Sequence, residues 1–401
     1  MILTAKQEEG LKIAVARYKN NEKYTCIAGY AGTGKSTLIK YIIAALDVDP
    51  DADVCYVAFT GKAATVLKQK GCANATTAHK LLYYARPMPD GTYKFERKKS
   101  LDYRIIVVDE VSMLPADMWQ LLLNHHAYII ATGDPGQLPP IEKENDNHVL
   151  DTPHIFLDEV MRQAKDSEII RLSMWIREGN PVNTFPCNRE QVQIFSPNQV
   201  VSGMYNWADQ ILCATNNKRN SINNFIREQK GYGPEPNIGD KIIGLHNHWD
   251  CFSTSGDWVL TNGTIGTITD FHKENFYIPR FICENPITLM LTSMKIDDED
   301  SFSNLPIDYK ALTTGTPALN GRQSYLLAKW NKNPKNIRKY IDPPYDFAYA
   351  YAITTWKAQG SEWEKVLGCE EDFPFDKDTH KRFLYTMVTR ASKKLVILTK
   401  N

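Results

Sequence analysis

The stretch from Gly29 to Thr37 reads Gly-Tyr-Ala-Gly-Thr-Gly-Lys-Ser-Thr, and it constrains the fold of this chain more than any other. It fills every fixed position of the phosphate-binding loop pattern G-x-x-x-x-G-K-[ST]. A short apolar, β-prone run precedes it, and a run with helical spacing follows it. A strand, a glycine turn and a helix N-terminus in this order direct backbone N–H groups at an anion. The alternative is an ordinary glycine-rich turn. Because every motif position is filled, the sequence predicts a nucleoside triphosphate site.

The residue types of this loop assign its predicted contacts. Glycines let the backbone curl around phosphate oxygens without a Cβ in the way. The Lys35 ammonium can reach the β- and γ-phosphates, and the Ser36 hydroxyl can hold Mg²⁺. The predicted nucleotide-binding positions of the loop are Gly32, Thr33, Gly34, Lys35, Ser36 and Thr37.

A helix is predicted from Ala5 to about Tyr18, with Thr4 as its N-cap. Gln7 lies in the first turn of this helix, upstream of the phosphate loop. Its amide could both donate to and accept from the edge of an adenine. A solvated glutamine on the helix surface fits the same spacing equally well.

Two acids and a glutamine are the candidate catalytic groups that face the phosphates. Asp109 and Glu110 end the apolar run Ile105–Val108, which is typical of a buried parallel strand. Asp109 is predicted to join Ser36 in the Mg²⁺ shell, and Glu110 to polarise the attacking water. The alternative is that both acids are turn residues. Gln137 follows another strand-like run in a turn-rich loop, where it could touch the γ-phosphate.

Candidate nucleic-acid contacts follow the strand-like runs of the first half and fill a predicted hairpin. From Lys80 to Arg104, seven Lys or Arg side chains stand against three acidic ones. Aromatic residues interleaved with cations suit stacking on bases and holding phosphates. Helix capping and a merely solvated hairpin are the alternatives. The predicted contacts here are Thr60, Lys62, His79, Tyr84, Arg86 and Lys98.

From about residue 181 the strand–turn–helix pattern begins again, without a second phosphate loop. Thr215 and Asn216 follow one strand-like run of this second unit. Thr355 and Trp356 follow another. The carboxyl ends of parallel β-strands face the ligand crevice. These four residues are therefore further candidate contacts with nucleic acid. Residues 256–309 have the alternation and turns of a small β insertion.

Composition limits the class of protein. A chain of 401 residues with 43% hydrophobic and 23% charged residues predicts a globular protein of several domains. The formal net charge is zero, so any nucleic-acid site must be local. The N-terminus shows no secretory signal, and no apolar run is long enough to span a bilayer. Eight scattered cysteines without a C-x-x-C pair favour reduced thiols and a cytoplasmic location.

Six motifs in a fixed order carry a resemblance. These segments together resemble superfamily 1 helicases, and within them the RecD/Dda-like branch, superfamily 1B. The segments that match motifs I, Ia, II, III, V and VI are residues 29–37, 58–64, 107–113, 133–140, 354–361 and 385–391. The matches extend over almost the whole chain. One departure is Trp356, where motif V often has histidine.

The resemblance implies an α/β fold with two RecA-like P-loop NTPase domains in tandem. The first would span 1–180, with a small β-hairpin insertion at about 82–103. The second would span 181–401, with a small β-rich, SH3-like insertion at about 272–340. ATP and Mg²⁺ would lie in the cleft between the domains. The site residues that the resemblance adds are Gln7 on adenine, Gly360 at the nucleotide, Gln359 in coupling, and Arg162 and Arg390 as arginine fingers.

The activity implied by the resemblance is that of an ATP-dependent DNA helicase. It would translocate 5′-to-3′ on single-stranded DNA and unwind fork or tailed duplex DNA as the cleft opens and closes. A monomer without membrane contact is expected, and replication or recombination proteins are candidate partners. Two rivals remain: an ATPase switch that closes on a partner without moving, and a nucleic-acid clamp that uses ATP only for affinity.

Overall fold

A computed structural model of the chain describes residues 3–87, 93–139, 146–256, 258–296, 300–333, 335–336, 341–371 and 376–400. The chain divides into two compact units. One unit is Met1–Asn216 together with Ile353–Asn401, and the other is Asn217–Ala352. The domain and insertion boundaries that the sequence suggested stay predictions beside this division.

Helices and strands alternate in the first part of the chain. Its strands are β1 (Tyr24–Gly29), β2 (Val54–Ala58), β3 (Ala75–Thr77), β4 (Tyr83–Pro87), β5 (Tyr93–Arg97), β6 (Ile105–Val108), β7 (Tyr128–Gly133) and β8 (Ile155–Leu157). Its helices are α1 (Ala5–Lys19), α2 (Lys35–Ala45), α3 (Gly61–Gln69), α4 (Ala78–Leu82), α5 (Ala116–Leu123), α6 (Arg162–Lys165) and α7 (Glu168–Arg177).

The rest of the chain begins and ends with parallel-sheet elements and has an antiparallel sheet between them. Its strands are β9 (Val192–Phe195), β10 (Gln210–Cys213), β11 (Lys241–Gly244), β12 (His248–Phe252), β13 (Val259–Leu260), β14 (Ile265–Phe276), β15 (Ile287–Lys295), β16 (Ser301–Asp308), β17 (Phe347–Tyr349), β18 (Ala352–Thr354), β19 (Trp363–Cys369) and β20 (Ala391–Leu398). Its helices are α8 (Ser202–Trp207), α9 (Asn216–Gln229), α10 (Tyr309–Thr314), α11 (Gly321–Lys332) and α12 (Lys377–Val388).

The first unit contains two separate sheets with parallel strand pairs. The six-stranded sheet has the order β3-β2-β6-β7-β1-β8, and the five-stranded sheet has the order β18-β10-β19-β20-β9. The pairs of the six-stranded sheet are parallel, and so are β10 with β19, β19 with β20 and β20 with β9. This mixed α/β fold with parallel sheets confirms the predicted fold class. We call the six-stranded sheet the phosphate-loop sheet and the five-stranded sheet the second sheet.

Alternate residues of β6 explain why the phosphate-loop sheet is stable. Ile106 and Val108 face a cluster that includes Trp119 and Leu122. Ile105 and Val107 face the opposite cluster, with Leu38 and Ile42 among its members, so helices cover both faces. All four residues of β6 are at most 2% exposed. Each side chain of this size buried from water contributes about 1.5–3 kcal/mol, which fixes the strand that carries the two acids.

The segment predicted to form a hairpin contains an antiparallel strand pair. β4 pairs with β5 in the register Tyr83 with Arg97 through Pro87 with Tyr93. The Lys98 N–H extends the pairing by donating to the Leu82 carbonyl at 2.9 Å. Residues 88–92, which include the predicted turn, lie outside the described residues.

The second unit is built on an antiparallel sheet with the order β16-β15-β14-β11-β17. Its main core includes Phe302, Phe347 and Met290. A smaller cluster under α11 contains Leu327, Ile282 and other apolar residues. In the part of the chain that the structure describes, no helix has both the length and the apolar character to cross a membrane.

Candidate functional site

The phosphate loop is held open by glycines in left-handed backbone conformations. Gly32 has φ = 75° and Gly34 has φ = 81°, a region that residues with a Cβ rarely adopt. Gly34 is the N-cap of α2, whose first turn contains no acidic residue. The Lys35 Nζ donates to the carbonyls of Gly29 at 2.6 Å and Tyr30 at 3.2 Å. A helix N-terminus and an ammonium group therefore meet at one corner that can bind an anion.

Gln7 is buried against this loop, with 1% of its surface exposed. Its Oε1 accepts from the Thr4 N–H at 3.0 Å and completes the capping box of α1. Its Nε2 donates to the carbonyls of Thr33 at 3.3 Å and Gly34 at 3.4 Å. The solvated-surface alternative is therefore wrong, because the Gln7 amide is buried and hydrogen-bonded to the phosphate loop. Contact between Gln7 and an adenine stays a prediction.

The two predicted catalytic acids lie at the end of β6. Asp109 accepts a hydrogen bond from the Thr132 hydroxyl at 3.0 Å. Burial raises the pKa of Asp109, and the neighbouring Glu110 charge raises it further. Glu110 has a left-handed backbone with φ = 49°, a strained conformation for a residue with a Cβ. Such strain is common where a side chain is held in a functional position.

Gln137 lies beside the predicted water-polarising acid. Its Nε2 donates to the Glu110 Oε1 at 3.1 Å, and 7% of the glutamine is exposed. The structure thus brings together the predicted general base and the predicted γ-phosphate contact, although 27 positions separate them in sequence.

A cavity of about 160 Å³ connects groups from the two sheets of the first unit. Asp109 and Glu110 line it from the phosphate-loop sheet, and Gly360 and Arg390 line it from the second sheet. Thr60 also lines this cavity. The cavity therefore joins an acidic pair, a predicted arginine finger and a predicted strand contact.

Arg390 is only 6% exposed, and it is hydrogen-bonded to groups of α12, of the residue that follows α12 and of the segment before β19. Its Nε donates to the Thr386 carbonyl at 3.1 Å, and its Nη1 donates to the Ser361 carbonyl at 3.2 Å. Its Nη2 donates to the Thr389 hydroxyl at 3.1 Å. The side chain of Arg162 lies outside what the structure describes. Its backbone neighbour Met161 donates to the Gly32 carbonyl at 2.9 Å, which places the start of α6 beside the phosphate loop.

The loop after β7, residues 134–138, is gripped by groups from the second sheet's side. The Arg382 Nη1 donates to the Pro135 carbonyl at 3.2 Å. The Leu138 N–H donates to the Thr386 hydroxyl at 2.9 Å, and the Gln359 Nε2 donates to the Leu138 carbonyl at 2.6 Å. The loop that carries Gln137 is thus bonded to both α12 and the segment before β19.

Tyr385 makes the most direct link between the two sides. Its hydroxyl accepts from the Ala31 N–H of the phosphate loop at 2.8 Å and donates to the Asp134 Oδ2 at 2.7 Å. The ring is 1% exposed. Burial raises the pKa of both Tyr385 and Asp134. Sequence reasoning missed Tyr385; the available signal was a polar hydroxyl within the otherwise mostly apolar run Phe383–Val388.

The candidate nucleic-acid contacts near the phosphate-loop sheet lie in different structural environments. Thr60 caps α3 by accepting from the Ala63 N–H at 3.2 Å, as the capping alternative predicted. His79 stacks on Tyr83 with ring centroids 5.2 Å apart. Burial lowers the pKa of His79 to about 4, so it is neutral at pH 7.

On the strand pair β4–β5 an exposed aromatic ring and a cation are adjacent. Tyr84 is 54% exposed, and the Lys98 Nζ lies 5.0 Å from the centre of its ring. Burial lowers the pKa of Lys98. The side chains of Lys62 and Arg86 lie outside the described part of the chain.

The candidate nucleic-acid contacts near the second sheet differ in exposure and in the interactions that their side chains make. The Thr215 hydroxyl donates to the Glu371 Oε1 at 2.7 Å, and Asn216 begins α9 with an exposed side chain. Thr355 is fully buried and donates to the Cys213 carbonyl at 3.3 Å. The Trp356 ring lies 6.4 Å from that of Phe383, and its contact with nucleic acid stays a prediction.

Two protein-family models match the chain. The family described as "AAA domain" matches residues 3–196. The family described as "UvrD-like helicase C-terminal domain" matches residues 349–398. The first match covers the phosphate-loop sheet, and the second covers the segment that holds Gln359, Tyr385 and Arg390.

Several curated relatives share sequence with the chain. ATP-dependent DNA helicase Dda of Enterobacteria phage T4 is 32% identical over 35% of this chain and 33% of the relative. ATP-dependent RecD2 DNA helicase of Deinococcus radiodurans is 35% identical over 38% of this chain and 21% of the relative. ATP-dependent DNA helicase PIF1 of Candida albicans is 25% identical over 65% of this chain and 34% of the relative. The chain therefore spans about a third or less of the length of these curated relatives.

A solved structure of Pif1 from Bacteroides bound to ssDNA has the same fold. It superposes with a TM-score of 0.51 at 17% identity, covering 99% of this chain and 92% of the Pif1 chain. The likeness identifies the two parallel sheets as those of two RecA-like domains. The motif order and the two family-model matches agree with this likeness, and the chain is similar to the superfamily 1B helicases, the branch of Dda, RecD and Pif1.

Proposed function

We propose that this chain is an ATP-dependent DNA helicase that moves 5′-to-3′ along single-stranded DNA as a monomer and separates duplex ahead of it. The observation that carries the proposal is the cavity in which Asp109 and Glu110 of the phosphate-loop sheet meet Arg390 of the second sheet. The names of its relatives support ATP and DNA as the substrates.

The phosphate loop has the chemistry to hold the triphosphate. Positive φ at Gly32 and Gly34 turns backbone N–H groups toward one corner, and Lys35 adds a positive charge there. The Lys35 ammonium now contacts two loop carbonyls, which phosphate oxygens would replace as partners. Gln7 fixes the loop from the other side.

Magnesium fits the oxygen donors at the same corner. Ser36 offers an exposed hydroxyl and Asp109 a carboxylate. Within the described ranges no group of three or more His, Cys, Asp or Glu side chains gathers as a metal site. The two oxygen donors fit Mg²⁺, which usually keeps several waters and takes its other ligands from one or two carboxylates and from substrate phosphates. Bound there, it would neutralise developing phosphate charge.

The residues of the cavity divide the work of hydrolysis. Glu110 polarises the attacking water, and its bond from Gln137 holds the carboxylate in position. Arg390 brings a cation from the second sheet, a contribution worth about 10³- to 10⁵-fold in comparable phosphoryl-transfer sites. Its three hydrogen bonds, to Thr386, Ser361 and Thr389 on the side of the second sheet, keep the guanidinium oriented, so it reaches the phosphates only when the two sheets are close.

Motion would follow from the same contacts. Loss of the terminal phosphate removes what Lys35 and Arg390 both attract, so the two sheets separate. The loop 134–138 is bonded to the second sheet's side by four residues, Gln359, Arg382, Tyr385 and Thr386. Through these hydrogen bonds, the loop 134–138 would couple the separation of the sheets to movement of the residues that contact the nucleic acid.

A strand-displacement assay tests the proposal. Duplexes with a 5′ tail, a 3′ tail or no tail are mixed with the protein and Mg²⁺-ATP, and release of the labelled strand is followed. We expect release from the 5′-tailed duplex. The matched control is Glu110→Gln, which retains the phosphate loop and should bind the tail without releasing the strand.

The outcomes separate the proposal from its rivals. Release from the 3′-tailed duplex would overturn the direction but keep the motor. ATP hydrolysis stimulated by a single strand without release from any duplex would favour the switch. Tight strand binding that depends on ATP but not on its hydrolysis would favour the clamp.

A further inference from the structure

A second region of this neutral protein carries a concentrated positive charge. Residues 309–341 contain no acidic side chain and seven basic ones, a net charge of +7 in a chain whose net charge is zero. The basic residues are Lys310, Arg322, Lys329, Lys332, Lys335, Arg338 and Lys339. This charge bias is larger than that of residues 80–104, and it lies in the second unit, outside the catalytic cavity.

The charge is ordered on one face of α11. Gln323, Leu327 and Asn331 point inward: Leu327 is fully buried, the Gln323 Nε2 donates to the Ile282 carbonyl at 2.7 Å, and the Asn331 Nδ2 donates to the Ile341 carbonyl at 3.1 Å. The outward face repeats at spacings of three, four and three residues, as one side of a helix requires. Its residues, all exposed, are Arg322, Tyr325, Lys329 and Lys332.

Exposed aromatic rings stand among these cations. Tyr325 is 63% exposed, with the Lys329 Nζ 5.9 Å from its ring centre. Phe281, on the neighbouring loop, is 66% exposed and lies 5.3 Å from the Trp330 ring. Arg280 beside it is exposed as well. We define the α11 face as Arg280, Phe281, Arg322, Tyr325, Lys329 and Lys332.

Packing does not explain these rings. Among the residues that the structure describes, the apolar cluster beneath α11 includes Leu327 and Ile282 but neither Tyr325 nor Phe281. An exposed ring flanked by cations offers a flat surface for a base and nearby charges for its phosphates. Each base stacked on an aromatic side chain tightens binding about 5- to 150-fold.

We propose that the α11 face is a binding site for single-stranded nucleic acid, separate from the catalytic cavity. Tyr325 and Phe281 stack on bases, and Arg280, Arg322, Lys329 and Lys332 hold the phosphates. Single strands fit better than duplex because their bases are free to stack. The inference rests on the proposed function in one respect: it assumes that the strand is the one on which the protein acts.

The test measures binding of a labelled oligothymidine by anisotropy across a series of salt concentrations. The variant R322Q/K329Q/K332Q removes three cations of the face. The matched control K12Q/K19Q/K23Q removes three exposed cations of the first unit. ATP hydrolysis without a strand should be unchanged in both, which shows that they fold.

For the α11 variant we expect the salt slope to fall by about 2, since each lost phosphate contact on a single strand lowers it by about 0.7. The same loss corresponds to roughly 30- to 100-fold weaker binding at 0.1 M salt. Tyr325→Leu should weaken binding about 5- to 150-fold with an unchanged salt slope, because it removes stacking and no charge. The control should bind like the unaltered protein.

Three results would overturn the proposal. Equal binding by the α11 variant and the control would exclude a strand site on this face. Weaker binding of blunt duplex by the α11 variant, with Tyr325→Leu unaffected, would make the face a duplex track. If the unaltered protein fails to bind the oligothymidine at all, the proposed function fails first.

Discussion

The two sheets of the first unit hold their charged groups in opposite ways. In the phosphate-loop sheet, Lys35 contacts carbonyls five and six residues before it, within one continuous motif. In the second sheet, Arg390 is held by carbonyls of Thr386 and Ser361, the latter 29 positions away. The contacts of Lys35 are complete in a single local turn, whereas the bond from Arg390 to Ser361 forms only when segments 29 positions apart have come together.

This difference assigns different tasks to the two sides. In the proposed mechanism, the phosphate loop, Asp109, Glu110 and Gln137 on the side of the phosphate-loop sheet would contact the phosphates, the metal and the attacking water. The second sheet adds one cation and grips the loop 134–138 through hydrogen bonds to it. Chemistry that lies on one side and is positioned from the other depends on whether the two sides are together, which is the property a nucleotide-driven motor needs.

The largest effect should come from the phosphate-loop side. Lys35→Ala removes the only charged group of the loop, so we expect both weaker ATP binding and at least about a 10²- to 10³-fold loss of hydrolysis. Unwinding should disappear while much of the single-strand binding remains. Steady-state hydrolysis, nucleotide titration and strand displacement measure the three. Lys40→Ala, an exposed lysine on the same helix, is the control. Intact unwinding by Lys35→Ala would refute the site.

The second-largest effect should come from the opposite side and have a different signature. Arg390→Ala removes a cation that acts on the developing charge, so we expect hydrolysis to fall by about 10³-fold with little change in ATP affinity. Single-turnover hydrolysis and nucleotide titration separate the two quantities. Lys393→Ala, which breaks an exposed ion pair with Glu364, is the control. Equal losses of affinity and rate would erase the contrast between the two sides.

Tyr385→Phe tests the link between the sides. The change removes the hydroxyl that joins the Ala31 N–H to Asp134, and a hydrogen bond to a charged group contributes about 1.5–3 kcal/mol. We expect strand-stimulated hydrolysis to fall about 10- to 100-fold and ATP affinity to change less.

The matched control for this substitution is Tyr128→Phe. Tyr128 also has a buried hydroxyl, but its partners, Thr25 of β1 and the Ala14 carbonyl of α1, both lie on the side of the phosphate-loop sheet. It should lower thermal stability without lowering stimulated hydrolysis. If both variants lose stability and activity in the same proportion, Tyr385 has only a structural role.

The comparison also shows what a single sequence can and cannot predict here. The loop around Lys35 and the acids after β6 were predictable because strand, turn and helix signals lie next to them. Tyr385 was not, because its partners Ala31 and Asp134 are 354 and 251 positions away. An alanine and an aspartate in a loop give no sequence signal that a distant tyrosine will contact them.

Gln7 is a third case: the sequence predicts the helix that contains it, but does not predict whether its side chain is buried. Helical spacing allowed either a buried or a solvated amide. The choice depends on the packing of α1 against α2 and on two carbonyls of the phosphate loop. The fold class was predictable for the opposite reason, since continuous apolar runs such as β6 indicate parallel strands covered on both faces.

The smallest expected effect comes from Gln359, which joins the same loop to the second sheet through a neutral group. Its Nε2 donates to the Leu138 carbonyl at 2.6 Å, and a neutral bond contributes only about 0.5–1.5 kcal/mol. Gln359→Ala should therefore lower strand-stimulated hydrolysis about 2- to 10-fold and leave hydrolysis without a strand unchanged. Comparing the two rates in one preparation gives the coupling directly. A fall in both rates by the same factor would mean that Gln359, like Arg390, acts on hydrolysis itself. The second sheet's side would then contribute to hydrolysis through more than one residue.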